Sequence, residues 1–277
     1  MATPARDYRA IHAIADKLTP SLRRKFLQAV EQLRGRISFA AIERAIRAGG
    51  ITIEITQALN QFPRDLRPAV RILNEAFAQA ANVTAGRGDL RLASAFTLTN
   101  ALAVEAADVR SALLVREVTN ETRRAIQLVI TRAFQQGITA REAAQMIRPL
   151  IGLTTRQAAA VMKLRTAKGA LAADRYAAQL LKHRALTIAR TETIRASVDG
   201  QLAIWREAQR QGLLPMNARK RWIVTPDDRL CPQCAPLKGV EVPLNSPFPG
   251  GVDGPPLHPN CRCAVSVVTG TSARSAA

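Results

Sequence analysis

The sequence predicts a mainly α-helical protein that ends in a small α+β domain, and three observations support this fold class. Apolar residues recur at helical spacing through most of the first 211 residues. Aromatic residues make up only 4% of the chain, which favours helices packed through alanine, leucine and isoleucine over a β-sandwich. After residue 211 the pattern changes to two short segments typical of β-strands, and the cysteines lie between them.

Composition limits the classes of partner and compartment. The chain has 277 residues, 47% of them hydrophobic, which is enough for one large core or two ordinary ones. The net charge of +19 favours association with a polyanion such as nucleic acid, and the basic residues are spread along the sequence. No apolar run of eighteen residues and no signal-peptide pattern occurs, so we expect a soluble intracellular protein.

Residues 1–88 are predicted to form an N-terminal multi-helix region. The sequence breaks here at Pro20, Gly35, Gly49, Gly50 and Pro63. These breaks predict four or five short helices, the second capped by Ser21 and the third by Ser38. Residues 51–56 alternate as a strand would, but the residues that follow favour a helix. Residues 82–89 are predicted to be a loop.

Residues 89–211 are predicted to form a region of long helices. The helical pattern runs almost unbroken from residue 90 to 136 and ends at Gly137. Thr139 and Glu142 have the spacing of a capping box, which predicts a short helix that Pro149 and Gly152 stop. A last long helix is predicted from Thr154 or Thr155 to about Gln211, with joints at Gly169 and Gly200.

Residues 212–268 are predicted to form a compact knuckle with short β-strands. The segment 219–224 is predicted to be a short strand and the segment 264–268 a second, apolar strand, and we expect them to pair. The tail at 269–277 is rich in Gly, Ser, Thr and Ala, which predicts disorder.

The knuckle contains every cysteine of the chain and one histidine close to them. These five residues are Cys231, Cys234, His258, Cys261 and Cys263. Zn²⁺ prefers four tetrahedral ligands drawn mainly from thiolate and imidazole, and a C-x-x-C pair with a second group returning from farther along the chain satisfies this. The cluster therefore predicts a structural zinc site, with one ligand more than the ion needs.

The loop between the two cysteine pairs supports the zinc interpretation. Residues 235–260 include seven prolines and four glycines and few residues that could form a core, so a metal ion would close the loop. Two disulfides would also close it, and a redox C-x-x-C is the third alternative, although its expected βαβ context is missing. Cys231, Cys234 and Cys263 are the favoured ligands, and the spacing leaves the fourth open between His258 and Cys261.

The motifs of the C-terminal part resemble those of the phage Mu protein F-like minor head proteins, a family of phage head morphogenesis proteins. The resemblance covers the organisation of residues 100–268 and is specific from residue 190 onward. It is carried by A-R-T-E at 189–192, K-R-W at 220–222, D-x-x-C-P-x-C at 228–234, L-x-G at 237–239 and P-P-x-H-P-N-C-R-C at 255–263. Residues 1–88 match no family residue by residue.

The resemblance implies a structural virion protein without enzymatic activity. Such a protein would associate with the portal, with the major capsid or scaffolding protein, and non-specifically with packaged DNA. It would be present in several copies in the phage head near the portal, and in the host cytoplasm during assembly. No membrane partner is expected.

Four further residues are expected to support the metal site from outside. Trp222 would cover it, and Arg190 or Glu192 would pair with the loop at Asp228 and fix the helix against the knuckle.

Two alternatives differ in class from a structural head protein. A zinc-supported nuclease would use Asp227, Asp228, Glu192 and His258, but His12 and His183 are distant in sequence, so no spare general base is evident. A zinc-ribbon DNA-binding protein would instead show a preferred DNA sequence.

Overall fold

The computed structural model describes residues 4–86, 101–225 and 230–269, and its architecture is mainly α-helical, as predicted. The described helices are α1 (Pro4–Arg36), α2 (Phe39–Arg47), α3 (Ile53–Ala85), α4 (Ala101–Gln135), α5 (Ala140–Ile147) and α6 (Thr155–Arg210). Short 3₁₀ helices cover Arg148–Leu150 and Ala235–Leu237. The strands are β1 (Arg219–Ile223), β2 (Glu241–Pro243) and β3 (Ala264–Val268).

The strands form an antiparallel sheet in the order β2-β1-β3. The predicted pairing of the segments 219–224 and 264–268 is confirmed, with Arg219 opposite Val268 and Ile223 opposite Ala264. The short strand β2 was not predicted. It lies in the proline-rich loop, where Val242 opposes Lys220 and extends the sheet by one edge strand.

The prediction of four or five short N-terminal helices is wrong, because Pro20 and Pro63 lie inside α1 and α3. Consequently Ser21 is an internal residue of α1 and caps no helix. A proline inside a helix costs about 3 kcal/mol. The apolar stripe of α1 nevertheless continues on both sides of Pro20, with Leu18 and Leu22 buried, and this burial favours one continuous helix.

Several local signals are confirmed. The Ser38 side chain accepts the N–H of Ala41 and caps α2. Thr139 and Glu142 form the predicted capping box at the start of α5. The segment at 51–56 enters helix α3 and forms no strand.

The loop predicted at 82–89 begins later than expected, because α3 continues to Ala85; residues 87–89 lie outside the described part of the chain. The first residues of the predicted long helix, 90–100, and the tail at 270–277 also lie outside it.

One of the two predicted joints in α6 is confirmed. Gly169 has φ 80° and ψ 175°, so the chain bends there between two helical segments. Gly200 is helical and makes no joint. An added Cβ at Gly200 would lie 2.2 Å from the carbonyl oxygen of Phe77. Glycine is needed at this position because α3 and α6 approach each other closely there.

The described chain clusters into two units. The first unit comprises residues 1–20, 71–108 and 187–277, and its core includes Ile11, Phe77 and Trp205. The predicted knuckle is part of this unit.

The second unit comprises residues 21–70 and 109–186. Inside it, Arg34 donates to the carbonyl oxygens of Pro149 and Ile151, and Arg184 donates to that of Gly152. Among the described helices of the chain, none is long and apolar enough to cross a membrane.

The close approach at Gly200 predicts a large effect of a single methyl group. Gly200→Ala should lower the free energy of unfolding by more than about 2 kcal/mol, since backbone atoms of α3 would have to move. Gly35→Ala in α1 is the matched control, because its Cβ meets no atom within 4 Å. Urea unfolding measures both changes, and equal stability of the two variants would contradict the close approach.

Candidate metal centre

Two tight turns present the cysteines and the histidine. In the first turn the N–H of Cys234 donates to the carbonyl oxygen of Cys231 over 3.1 Å and to its Sγ over 3.3 Å. The 3₁₀ helix Ala235–Leu237 follows and buries Leu237. This geometry is that of a metal-binding knuckle, in which backbone N–H groups stabilise the negative charge of a ligand sulfur.

The second turn runs from His258 to Cys261. It is closed by a 3.1 Å hydrogen bond from the N–H of Cys261 to the carbonyl oxygen of His258, and Asn260 adopts the left-handed conformation with φ 58°. Asparagine tolerates this conformation better than most residues. The turn places Cys261 and Cys263 directly before β3, whose pairing with β1 holds them against the sheet.

The hydrogen bonding of His258 leaves one ring nitrogen free for a ligand bond. Its Nδ1 lies 2.9 Å from the carbonyl oxygen of Pro259. A carbonyl oxygen only accepts, so Nδ1 carries the proton and Nε2 presents a lone pair. Nε2 lies 2.9 Å from Sγ of Cys231 and 3.2 Å from Sγ of Cys234.

All five predicted ligands are brought together. Cys231, Cys234 and His258 form one group, and Cys234, Cys261 and Cys263 form a second, with ligand atoms inside each group within 4.8 Å of one another. The Cys234 and Cys261 sulfurs are 3.7 Å apart. All four cysteines are free thiols, so the structure contains no disulfide among them. The groups are positioned to hold a metal ion.

Because the thiols lie close together, their pKa values shift in opposite directions. Burial raises the pKa of Cys234 to about 12, whereas hydrogen bonding to Cys263 lowers the pKa of Cys261 to about 5. For His258, burial lowers the pKa, but the Pro259 carbonyl and the negative charge near Cys261 and Cys231 outweigh burial and raise it. Adjacent thiolates repel one another, so a cation among them is what would let all of them ionise together.

Of the four residues expected to support the metal site, three lie in the described part of the chain. Trp222 is buried and packs edge to face on Phe248, with ring centroids 5.1 Å apart. Arg190 is exposed, and Glu192 accepts hydrogen bonds from Arg195. Asp228, like Asp227 of the nuclease alternative, lies outside the described residues.

Helix α6 is joined to the second turn through threonines that sequence reasoning missed. Oγ1 of Thr191 accepts the N–H of Asn260 over 2.9 Å, and the Asn260 side chain donates to Oγ1 of Thr187 over 3.2 Å. The two threonines are four residues apart and therefore share a helix face. Two threonines at this spacing next to the A-R-T-E motif are the sequence signal that could have predicted the contact.

His12 was judged remote from the cluster, but the structure places it at the second turn. Its Nε2 donates to the carbonyl oxygen of Arg262 over 3.0 Å, and Thr225 donates to the same oxygen over 3.2 Å. Burial lowers the pKa of His12. The neutral ring therefore fixes the N-terminal part of α1 to the backbone between Cys261 and Cys263.

An ion-pair network of buried Lys220 with the half-buried Asp253 and Arg206 holds the middle of the proline-rich loop. Lys220 on β1 is completely buried, and its Nζ donates to the Asp253 carbonyl oxygen over 2.7 Å and to the Asp253 carboxylate. Arg206 on α6 donates to both oxygens of the same carboxylate over 2.6 Å. Although burial raises the pKa of Asp253, the two cations outweigh it and lower the pKa.

The long helices and the compact Cys/His centre define a mainly α-helical protein whose C-terminal part contains side chains positioned to hold a metal ion. The profile of the family described as Phage Mu protein F like protein matches residues 124–266, slightly more than half of the chain. The chain belongs to this family, and the suspected resemblance is confirmed. No curated protein and no solved structure matches it.

The attachment of the second turn to α6 predicts a loss of stability when the attachment is removed, and a matched variant serves as the control. Thr191→Val removes the acceptor of the Asn260 N–H and should cost about 1–2 kcal/mol of stability. Thr193→Val is the control, because Thr193 is also buried and its hydroxyl donates to the Ala189 carbonyl oxygen of its own helix, as the Thr191 hydroxyl does to that of Thr187. Thermal unfolding compares them, and a Thr193→Val variant as unstable as Thr191→Val would refute the attachment.

Proposed function

We propose that the Cys/His centre binds one structural Zn²⁺. Zinc bonds of about 2.3 Å to sulfur and 2.0 Å to nitrogen give tetrahedral edges of roughly 3.8 Å between sulfurs and 3.5 Å between sulfur and nitrogen. The observed separations are 3.7 Å for the Cys234 and Cys261 sulfurs and 2.9–3.2 Å from His258 Nε2 to the sulfurs of Cys231 and Cys234. The sulfur–sulfur separation is close to a tetrahedral edge, whereas the nitrogen lies closer to the two sulfurs than in a zinc site, so a bound ion would move these groups apart slightly. We propose Cys231, Cys234, His258 and Cys261 as the ligand set.

The proposed role of the ion is structural. Four protein ligands fill the tetrahedron and leave no position for substrate or water. Cys263 is a fourth sulfur, within 4.8 Å of those of Cys234 and Cys261, so the centre offers one ligand more than the four positions need. The loop that the ion would close is rich in proline and glycine, so metal binding would contribute directly to its folding.

The proposed biological function is that of a minor head protein of a tailed phage, acting in head morphogenesis without catalysis. The observation that carries this proposal is the family match, which spans all five candidate ligands and ends inside β3. We further propose that the protein resides in the virion in several copies and binds the portal and the capsid or scaffolding protein.

Contact with packaged DNA is the last part of the proposal, and the distribution of charge supports it. The second unit carries 23 Lys and Arg against 8 Asp and Glu, whereas the first unit carries 17 against 13. Most of the positive charge is therefore concentrated in residues 21–70 and 109–186. Such a surface would bind phosphates without reading bases, so the affinity would fall steeply with added salt.

The zinc proposal predicts metal content close to one equivalent per chain in protein purified without chelators. His258→Ala should lose most of the zinc and lower the Tm, because one proposed ligand is removed. His183→Ala is the matched control, since His183 is exposed on α6 and lies outside both ligand groups.

Elemental analysis of the cysteine variants identifies the third sulfur. Cys263→Ser should retain the metal and Cys261→Ser should lose affinity for it. The reverse result would exchange Cys261 for Cys263 in the ligand set, and zinc-free folded wild-type protein would remove the site altogether.

The head-protein proposal predicts that the chain co-purifies with the portal protein encoded beside it when both are expressed together. The complex should survive salt that releases DNA, because a specific protein interface depends less on counterion release than DNA binding does. Size-exclusion chromatography with light scattering measures it. An unrelated protein of similar size and little net charge, mixed with the chain, provides the baseline for non-specific association.

DNA assays give the contrary outcomes. A preferred sequence that persists at high salt would favour the zinc-ribbon regulator, and cleavage of DNA with Mg²⁺ or Mn²⁺ that depends on Asp228 would favour the nuclease. Sequence-indifferent, salt-sensitive binding without cleavage is the result that the head-protein proposal expects.

A further inference from the structure

The second unit contains an open groove that belongs to no part of the candidate metal centre. It lies between the end of α4, the turn at Gly137, α5 and the first segment of α6, and its volume is about 680 Å³. Ile138, Met146 and Met162 supply its apolar lining, and Arg132 and Lys163 supply its charge.

The apolar lining suits a helical ligand of variable sequence. Methionine is unbranched and polarizable, so it adapts to side chains of different shape. Ala159 and Ala160 line the groove from α6 and keep that side shallow. Small residues of this kind allow the axis of another helix to approach closely. An extended nucleic acid backbone would gain little from such an apolar floor.

The charge of the groove selects an acidic ligand. Arg132 lies on α4 and the exposed Lys163 on α6, and neither takes part in any ion pair among the residues that the structure describes. The neighbouring Arg165 is paired with Asp174. The unit as a whole carries 23 basic against 8 acidic residues, which would steer an acidic partner towards it.

We propose that this groove binds an amphipathic α-helix of a partner protein, with an apolar stripe bordered by Asp or Glu. The apolar stripe packs on Met146 and Met162, and the acidic border meets Arg132 and Lys163. This is the helix-in-groove mode of recognition, in which anchors recur at i, i+3 or i+4 and i+7. The proposal is independent of zinc, because all the residues it uses belong to the second unit.

The methionines provide a direct test in the full-length chain. The protein has only four of them, Met1, Met146, Met162 and Met216, and two lie in the groove. We would label their ε-methyl groups with ¹³C and assign the groove signals with Met146→Leu and Met162→Leu. The probe is a synthetic helical peptide of about 18 residues, long enough for five turns, with leucines on one face and glutamates beside them.

The expected result is that the acidic peptide shifts the signals of Met146 and Met162 and leaves that of Met216 in place. Met216 is exposed and belongs to the first unit, so it reports non-specific binding. The same peptide with every glutamate replaced by lysine should bind at least about tenfold more weakly, because like charges then face each other.

A matched pair of double variants separates the groove from the general charge of the unit. Arg132→Glu with Lys163→Glu should weaken peptide binding by at least about tenfold. Arg116→Glu with Lys182→Glu makes the same change of charge at exposed positions on the same two helices, outside the groove, and should change affinity by less than about threefold.

Three outcomes would overturn the proposal. The first is the absence of a shift of either groove methionine with the acidic peptide. The second is equal binding of the lysine peptide, which would show that charge does not select the ligand. The third is a DNA duplex that shifts the two methionine signals at lower concentration than the peptide, which would assign the groove to nucleic acid.

Discussion

The C-terminal part of the chain depends on its contacts with α6, because the proline-rich loop has few residues that could form a core of its own. Contacts at Asp253, Gly254 and Asn260 are among those that fix residues 235–260 to this helix. Thr191 accepts the Asn260 N–H, Arg206 binds the Asp253 carboxylate, and Gly254 packs so closely on Val198 that an added Cβ would lie 2.8 Å from it. These contacts hold the second turn against α6.

The candidate ligands of the site could be predicted from the sequence, whereas the contacts that surround the site could not. Cysteine and histidine ligands are few and their spacing follows from the geometry of one ion, so all five candidates were named from sequence and lie together. The contacts of His12 and Lys220 could not be named in this way. Each depends on a partner about 30 to 250 residues away, and neither a helical histidine nor a strand lysine differs locally from a solvated one.

The same holds for the helices: features set by neighbouring residues were predicted correctly, and features set by distant residues were not. Ser38 and Thr139 were identified as caps because a cap is formed by residues two or three positions apart. Pro20 and Pro63 were misread as helix ends, because the burial that keeps α1 and α3 continuous comes from the rest of the fold. Likewise Gly200 was read as a joint, whereas its partner is the backbone of Phe77, far away in sequence.

Five ligands for four positions also bear on the role of the site. A catalytic zinc site keeps one position for water or substrate, so a surplus protein ligand next to the ion would compete with substrate and slow any reaction. A structural site holds no substrate, so a surplus thiol beside the ion has no such disadvantage. Cys263 is buried, lies within 4.8 Å of the Cys234 and Cys261 sulfurs, and precedes β3 directly, so the sheet holds it in place whether or not it binds. A surplus ligand of this kind fits the structural role proposed for the ion.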